Sequence, residues 1–178
     1  VHNNAAFLPW HRGYILDLET LLMEHDPSIV GLPYWDIRQG TDVASILPTS
    51  FGGDINKTTR CVDNWTLTTG DCVRRRFGSG RPTTPSQVDA LLALDTYDTF
   101  RNHLEHGPGM HDSLHHAVGG TMFSARASND PIFFVLHAGL DRLWHLWNKT
   151  SYSGDKNRVL PASTYTPNDV LDNTFLTT

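Results

Sequence analysis

Ten of the 178 residues are histidines, and five of them stand where an imidazole could ligate a metal. His111 and His115 are four apart in a stretch of helical character. That spacing puts both rings on one helix face, within reach of a single ion. His137 falls early in a run otherwise made of Phe, Val and Leu. An ionisable ring in such surroundings must be neutral and hydrogen-bonded, or bound to a metal. His11 lies between Trp10 and Arg12, with His2 nine residues earlier. The five form two groups: His2 with His11, and His111 with His115 and His137. The plainer alternatives are an exposed helix pair for His111 and His115 and a satisfied core histidine for His137.

The remaining five histidines suggest nothing beyond ordinary placement. His25 is near a helix end, and His103 and His106 fall in the last turn of theirs, where partial positive charge is favoured. His145 has no implied partner. His116 points about 100° away from His115 around the helix, so the two cannot face one metal. An all-imidazole set without cysteine or a convincing carboxylate suits copper, zinc, iron or nickel. Zinc hydrolases commonly carry His-Glu-x-x-His or a His and Glu mixture, and neither occurs here. Two all-histidine groups on antiparallel helices point instead to a pair of coppers facing each other.

The elements that must position these rings are helices. Residues 9–25 read as the first, with Pro9 near the start, Tyr14, Leu18, Leu21 and Leu22 at helical spacing, and Pro27 as the stop. Residues 31–37 are short and aromatic, an extended or turn segment. A second helix is expected over 86–104, with Ser86 as N-cap and an apolar side from Val88 to Leu104. Gly107-Pro108-Gly109 breaks it, and a third helix over 110–118 ends at Gly119-Gly120. The fourth starts with Asp130 as N-cap and Pro131 at the first helical position, followed by Phe133, Phe134, Leu136, Leu140 and Trp144. The fold class that follows is mainly α, a four-helix-bundle core with long irregular loops.

Length predicts a single domain over 1–178, with a pinned surface-loop excursion over 40–85 and an irregular segment over 151–178. The group Arg74, Arg75, Arg76 and Arg81 reads as a solvated face or as salt-bridged to the surplus acids. Fourteen Lys and Arg against nineteen Asp and Glu leave a net charge of -5, which argues against a nucleic-acid footprint. No apolar run reaches the roughly 18 residues of a membrane span. Cys61 and Cys72 lack zinc-site spacing; a disulfide closing their loop is the preferred reading, with two free surface thiols as the alternative. Together with acceptor motifs at Asn56, Asn64 and Asn148, this predicts a secreted or lumenal glycoprotein.

Four motifs in order carry a resemblance. Phe7-Leu8-Pro9-Trp10-His11-Arg12, preceded by His2, resembles the first copper motif of tyrosinases, and Leu32-Pro33-Tyr34-Trp35-Asp36 is similar to the stretch that follows it. His111-Asp112-Ser113-Leu114-His115 with Gly119-Gly120-Thr121-Met122 resembles the start of the second copper motif. Asp130-Pro131-Ile132-Phe133-Phe134 up to His137, then Asp141-Arg142-Leu143-Trp144, resembles its end. The chain is thereby identified as a member of the type 3 copper family of tyrosinases, catechol oxidases and molluscan-type hemocyanins.

The resemblance implies two copper ions, dioxygen as co-substrate and a small phenol or catechol as substrate. His2 and His11 fall on two ligands of the first copper, and His111, His115 and His137 on the three of the second. The first copper's remaining ligand is expected in a helix upstream of residue 1 or in a second fragment. Asp112 replaces an asparagine frequent in enzymes that hydroxylate monophenols, and can accept a phenol proton directly or through water. Glu105 is the nearest match to the family's water-holding glutamate, with a helix-surface carboxylate as its alternative. Leu136 replaces the first of a frequent histidine pair. Asp141 is expected to anchor a ligand ring or Arg12, Phe133 and Phe134 to pack around the coppers, and Met122 and Ala125 to line a roomy entrance. Oxidation of phenols or catechols to o-quinones is the leading expectation. A hemocyanin-like oxygen carrier, a copper-free matrix homologue and a mononuclear site are the rivals.

Overall fold

The computed structural model describes residues 1–39, 72–78 and 83–150. Among them the chain is mainly α: α1 (Phe7–His25), α2 (Pro85–Leu92), α3 (Tyr97–His106), α4 (His111–Val118) and α5 (Ile132–Thr150), with short 3₁₀ turns at Ile37–Gln39, Gly120–Phe123 and Ala127–Asn129. α1 packs chiefly on α5, and α4 packs on α3. The shared core joins Phe7 and Leu8 of α1 to Phe100 and Leu104 of α3, Leu114 of α4, and Leu136, Leu140 and Trp147 of α5, all buried.

One expected helix is two. The run 86–104 breaks after Leu92, because Thr96 caps a new helix by accepting from Thr99 N. The break lets the indole of Trp147 donate to the Leu94 carbonyl at 2.6 Å. It also sends the Tyr97 hydroxyl to the carbonyl of Ala5, at 2.7 Å. The cap of α2 is Thr84, not Ser86: Thr84 and Gln87 form a reciprocal capping box with Pro85 in the first turn. Helix α1 opens two residues earlier than expected, at Phe7, and its first turn tolerates Pro9 because an amide there has no intrahelical acceptor.

Helix α5 begins at Ile132, one residue after the expected start, and Asp130 Oδ1 accepts from Ile132 N at 3.0 Å. The same carboxylate receives Arg75 through two bonds, Nε at 2.8 Å and Nη2 at 2.7 Å, with both side chains buried. Arg75 is therefore not part of a solvated face, although Arg74 and Arg76 are exposed. This fork ties residues 72–78 to the start of α5. The strand-like stretch also donates from Arg76 N to Val118 O and from Gly78 N to Ala117 O. The approach is close enough to require glycines at the end of α4. Gly119 and Gly120 have φ of 62° and 58°, and a Cβ on either would strike the carbonyl of Arg76 or Arg74.

Cys72 is disulfide-bonded. Its expected partner Cys61 lies outside the described residues, as do Asn56, Asn64, Arg81 and the segment 151–178. Asn148 is half-buried on α5. Among the described residues no helix is long and apolar enough to cross a membrane.

Candidate metal centre

The five histidines singled out by spacing converge. The His11 ring stacks on His137 with centroids 4.1 Å apart and planes within 3°. His111 lies 4.5 Å from His115 and 5.2 Å from His137. His2 lies 5.2 Å from His11 and 5.4 Å from His111. His111, His115 and His137 each offer a ring nitrogen, the three within 4.8 Å of one another. The other five histidines are all exposed.

Hydrogen bonds decide which nitrogen faces inward for His11, His111 and His115. His115 Nδ1 lies 2.6 Å from the carbonyl of Met122, and His11 Nδ1 2.7 Å from that of Phe7. A carbonyl only accepts, so both rings carry their proton on Nδ1 and present a lone pair at Nε2. His111 Nδ1 likewise donates to Asp112 Oδ1, 2.8 Å away. Nε2 of His111, His115 and His137 is buried with no hydrogen-bond partner. Three buried, unpartnered ring nitrogens gathered in one cluster are costly unless something electrophilic sits among them. The residues fit an imidazole-bound metal ion.

Electrostatics agree. Burial, followed by the neighbouring imidazoles, pushes His137 far below the ordinary histidine range. Burial pushes His11 down to about 3 and His115 to about 4. His2 is lowered too, first by burial and then by His111. Neutral imidazole is the form that binds metal. Asp112 is held well below the usual carboxylate range, first by its hydrogen bond from His111 and also by that from His106.

A cavity of about 730 Å³ opens over His2, His11, His111 and His115, within the range of small-molecule sites. Asp112, Met122, Phe133 and Ala125 are on its wall. Met122 is buried and holds His115 through its carbonyl, while Ala125 is exposed. Phe133 packs tilted against His137, centroids 4.2 Å apart, but Phe134 turns to Tyr14, 5.3 Å away, and does not line the cavity. Phe7 takes the packing role expected of Phe134: fully buried, it meets the edges of His11 at 4.8 Å and His111 at 4.9 Å. The motif Phe-Leu-Pro-Trp-His contained that signal, since Phe7 precedes His11 by one helical turn.

Glu105 is not on a helix surface. It is fully buried, accepts from Asn3 N at 2.7 Å and from Arg101 at 3.1 Å, and so pins the turn that carries His2. Asp141 pairs with Arg12 at 2.6 Å rather than with a ligand ring, and that guanidinium lies 3.9 Å over the Trp144 ring. His106, unremarkable by spacing, lies 2.7 Å from Asp112 Oδ2.

A helical bundle whose core presents a cluster of three histidines defines an imidazole-type metal-binding protein. Comparison with known proteins narrows the class. The chain matches the family model of the common central domain of tyrosinase over residues 1–78 and 55–150. It is 35% identical over 176 residues to the tyrosinase of Streptomyces antibioticus, covering 83% of this chain and 64% of that protein. With the tyrosinase of Streptomyces glaucescens it shares 33% over 214 residues, covering 97% and 78%. The chain belongs to the tyrosinase family. It spans about two thirds of the length of the first of these relatives. Its fold is similar to that of a functional unit of octopus hemocyanin, with a TM-score of 0.64, 24% identity, and coverage of 85% of this chain and 39% of that one.

Proposed function

We propose that this chain is the copper-binding part of an enzyme that oxidises phenols or o-diphenols to o-quinones with dioxygen. The observation that carries the reading is the cluster of buried, unpartnered Nε2 atoms of His111, His115 and His137 beneath an open cavity. When bound, a copper pair supplies the redox chemistry with dioxygen. Family membership supports the pair, and the convergence of His2 and His11 on the cluster supports a second ion that these two rings would help to hold. A third imidazole for that ion, the sixth of the centre, would come from chain upstream of Val1 or from a second fragment.

The protein's own task is to hold neutral rings and to receive the substrate. Phe133 and the imidazoles give an aromatic wall against which a phenol ring can stack. Asp112 presents a carboxylate to the same cavity. Both its oxygens already accept from His106 and His111, so it orients a phenol O–H and does not store its proton. Glu105 contributes through Asn3, by fixing the turn of His2. The exposed Ala125 leaves the entrance open to a ring substrate. The disulfide-bonded Cys72 supports a secreted or lumenal location.

The test is copper quantification on the intact chain, with and without the upstream segment, followed by rates on a monophenol and its catechol. Two coppers per chain and quinone formation are expected. Copper uptake and reversible oxygen binding without turnover of catechol would favour an oxygen carrier instead. No copper uptake by either form would sink the reading.

A further inference from the structure

We infer that His106, which lies outside the cavity, is a positioning residue of the metal centre: by donating to Asp112 it fixes the carboxylate that orients the His111 ring with Nε2 inward. The inference rests on the proposed metal-binding role of His111. Its geometry does not depend on which metal binds.

Asp112 Oδ2 lies 2.7 Å from His106 Nδ1, and Oδ1 lies 2.8 Å from His111 Nδ1. An ionised carboxylate only accepts, so both rings donate to it from Nδ1. The Asp112 side chain is 47% exposed while that of His111 is 5% exposed. Left to itself, a carboxylate so open to water would exchange its bond to His111 for bonds to solvent. The second donor removes that freedom. A ligand histidine whose outer nitrogen is bonded to a carboxylate has its tautomer and ring orientation set, and removing such outer partners typically lowers metal affinity about 10–100-fold.

The turn between the two residues is built to bring them together. His106 ends α3 and Asp112 lies in the first turn of α4. A basic group at a helix C-terminus and an acidic one at an N-terminus each lie where the backbone dipole favours them. Gly107 has no room for a Cβ, which would strike the carbonyl of His103, and Gly109 has φ of 77°. The carbonyl of Pro108 accepts from Gln87 Nε2 at 2.9 Å, and that of Gly109 accepts from the Thr83 hydroxyl. Gly109 N donates to Ser113 Oγ, 3.1 Å away. The reversal is thus held from α2 on one side and from α4 on the other. On its far side the His106 ring approaches Glu105 Oε2 at 3.6 Å, and Glu105 is the carboxylate that pins Asn3 beside His2. His106 therefore stands between the acids that support the two groups of ligand rings.

Three substitutions separate a directed donor from mere packing. His106→Leu removes both ring nitrogens. His106→Asn keeps an amide donor near the position of Nδ1, whereas His106→Gln places one near Nε2 and misses Asp112. Two measurements are made on the whole chain. Long-range proton–nitrogen correlation spectra of the metal-free protein report the His111 tautomer, and competition for Cu(I) against a chromogenic chelator reports affinity. The wild type and the Asn variant should show His111 protonated on Nδ1. The Leu and Gln variants should show mixed tautomers and about 10-fold weaker Cu(I) binding. Equal tautomers and affinities in all four proteins would overturn the inference, and so would Asn and Gln variants that behave alike. Should Leu fail to fold, the Asn and Gln pair decides alone. A wild type with a fixed tautomer but no Cu(I) uptake would defeat the copper reading and leave the tautomer series to judge His106.

Discussion

The two groups of histidines are held in different ways. His111, His115 and His137 all project from helices, two of them at i,i+4 on α4 and the third from the first turns of α5. Their Nε2 atoms are sealed from solvent without partners. His11 belongs to α1 and is equally buried, but His2 is exposed, on a turn that precedes the helix. That turn is held by long-range bonds, Glu105 to Asn3 N and Tyr97 to the Ala5 carbonyl. The contrast teaches that a helical repeat brings two ligands to one face and leaves only their ring orientation to outer partners, whereas a ligand on a turn needs distant chain even to hold its backbone in place.

The largest test of this difference is removal of one ring from each group. His137→Ala should lower metal affinity of the triad by more than the ~100-fold that outer partners command, whereas His2→Ala should leave that triad's affinity unchanged. Equilibrium competition with a chelator reads both, and equal losses would erase the distinction. Next comes the anchor of α5. Asp130→Ala leaves the buried Arg75 unpaired and should cost about 3–5 kcal/mol in denaturant unfolding; a loss below about 1 kcal/mol would mean that the ion pair is not what fixes the His137 helix.

Acid offers an intermediate effect. Unfolded histidines titrate near 6.5, while in the metal-free fold His115 and His11 resist protonation down to about 4 and about 3. Below pH ~6.5 the unfolded chain binds protons that the folded chain excludes, so stability falls as pH drops through this window and flattens once the folded rings also protonate. Urea midpoints of the metal-free protein should decline steadily over that range; a level profile would show that the rings are not buried as neutral groups. Tyr97→Phe deletes one bond to the turn and should cost about 1 kcal/mol. Broadening of amide signals at residues 2–5, with 111–115 unaltered, is its signature, and broadening at both would merge the two groups. The smallest effect is expected at the cavity mouth, where Ala125→Phe should lower turnover of bulky phenols relative to small ones and leave metal binding alone. Unchanged selectivity would remove Ala125 from the entrance.

Much of the centre was legible because the ligands follow local rules. The i,i+4 pair, the Asp-Pro start before His137 and the Pro-Trp-His opening of α1 are patterns within one or two helical turns. Other features mislead or stay open in the sequence. The apolar side from Val88 to Leu104 runs through a helix break: at 100° per residue Val88 and Leu91 fall roughly 120–180° from Phe100 and Leu104, so two separate faces pass for one broad side. For Glu105 a helix-surface carboxylate stays open as the alternative, and its burial is decided only by the turn of Asn3 that closes over it. For Arg75 both a solvated face and a salt bridge to one of the acids are open, and only the fold shows that it pairs with Asp130, 55 residues away.

From sequence alone came the helical class, the two groups of imidazoles and the family to which their motifs point, since each depends on short local patterns and on the order of those patterns along the chain. Tertiary structure alone decided which nitrogen each ring turns inward, which acids are buried and what holds His2 over the centre. Those outcomes depend on which donor or acceptor a distant segment brings alongside, and on the loss of water there. Such proximity has no period that a local pattern could record.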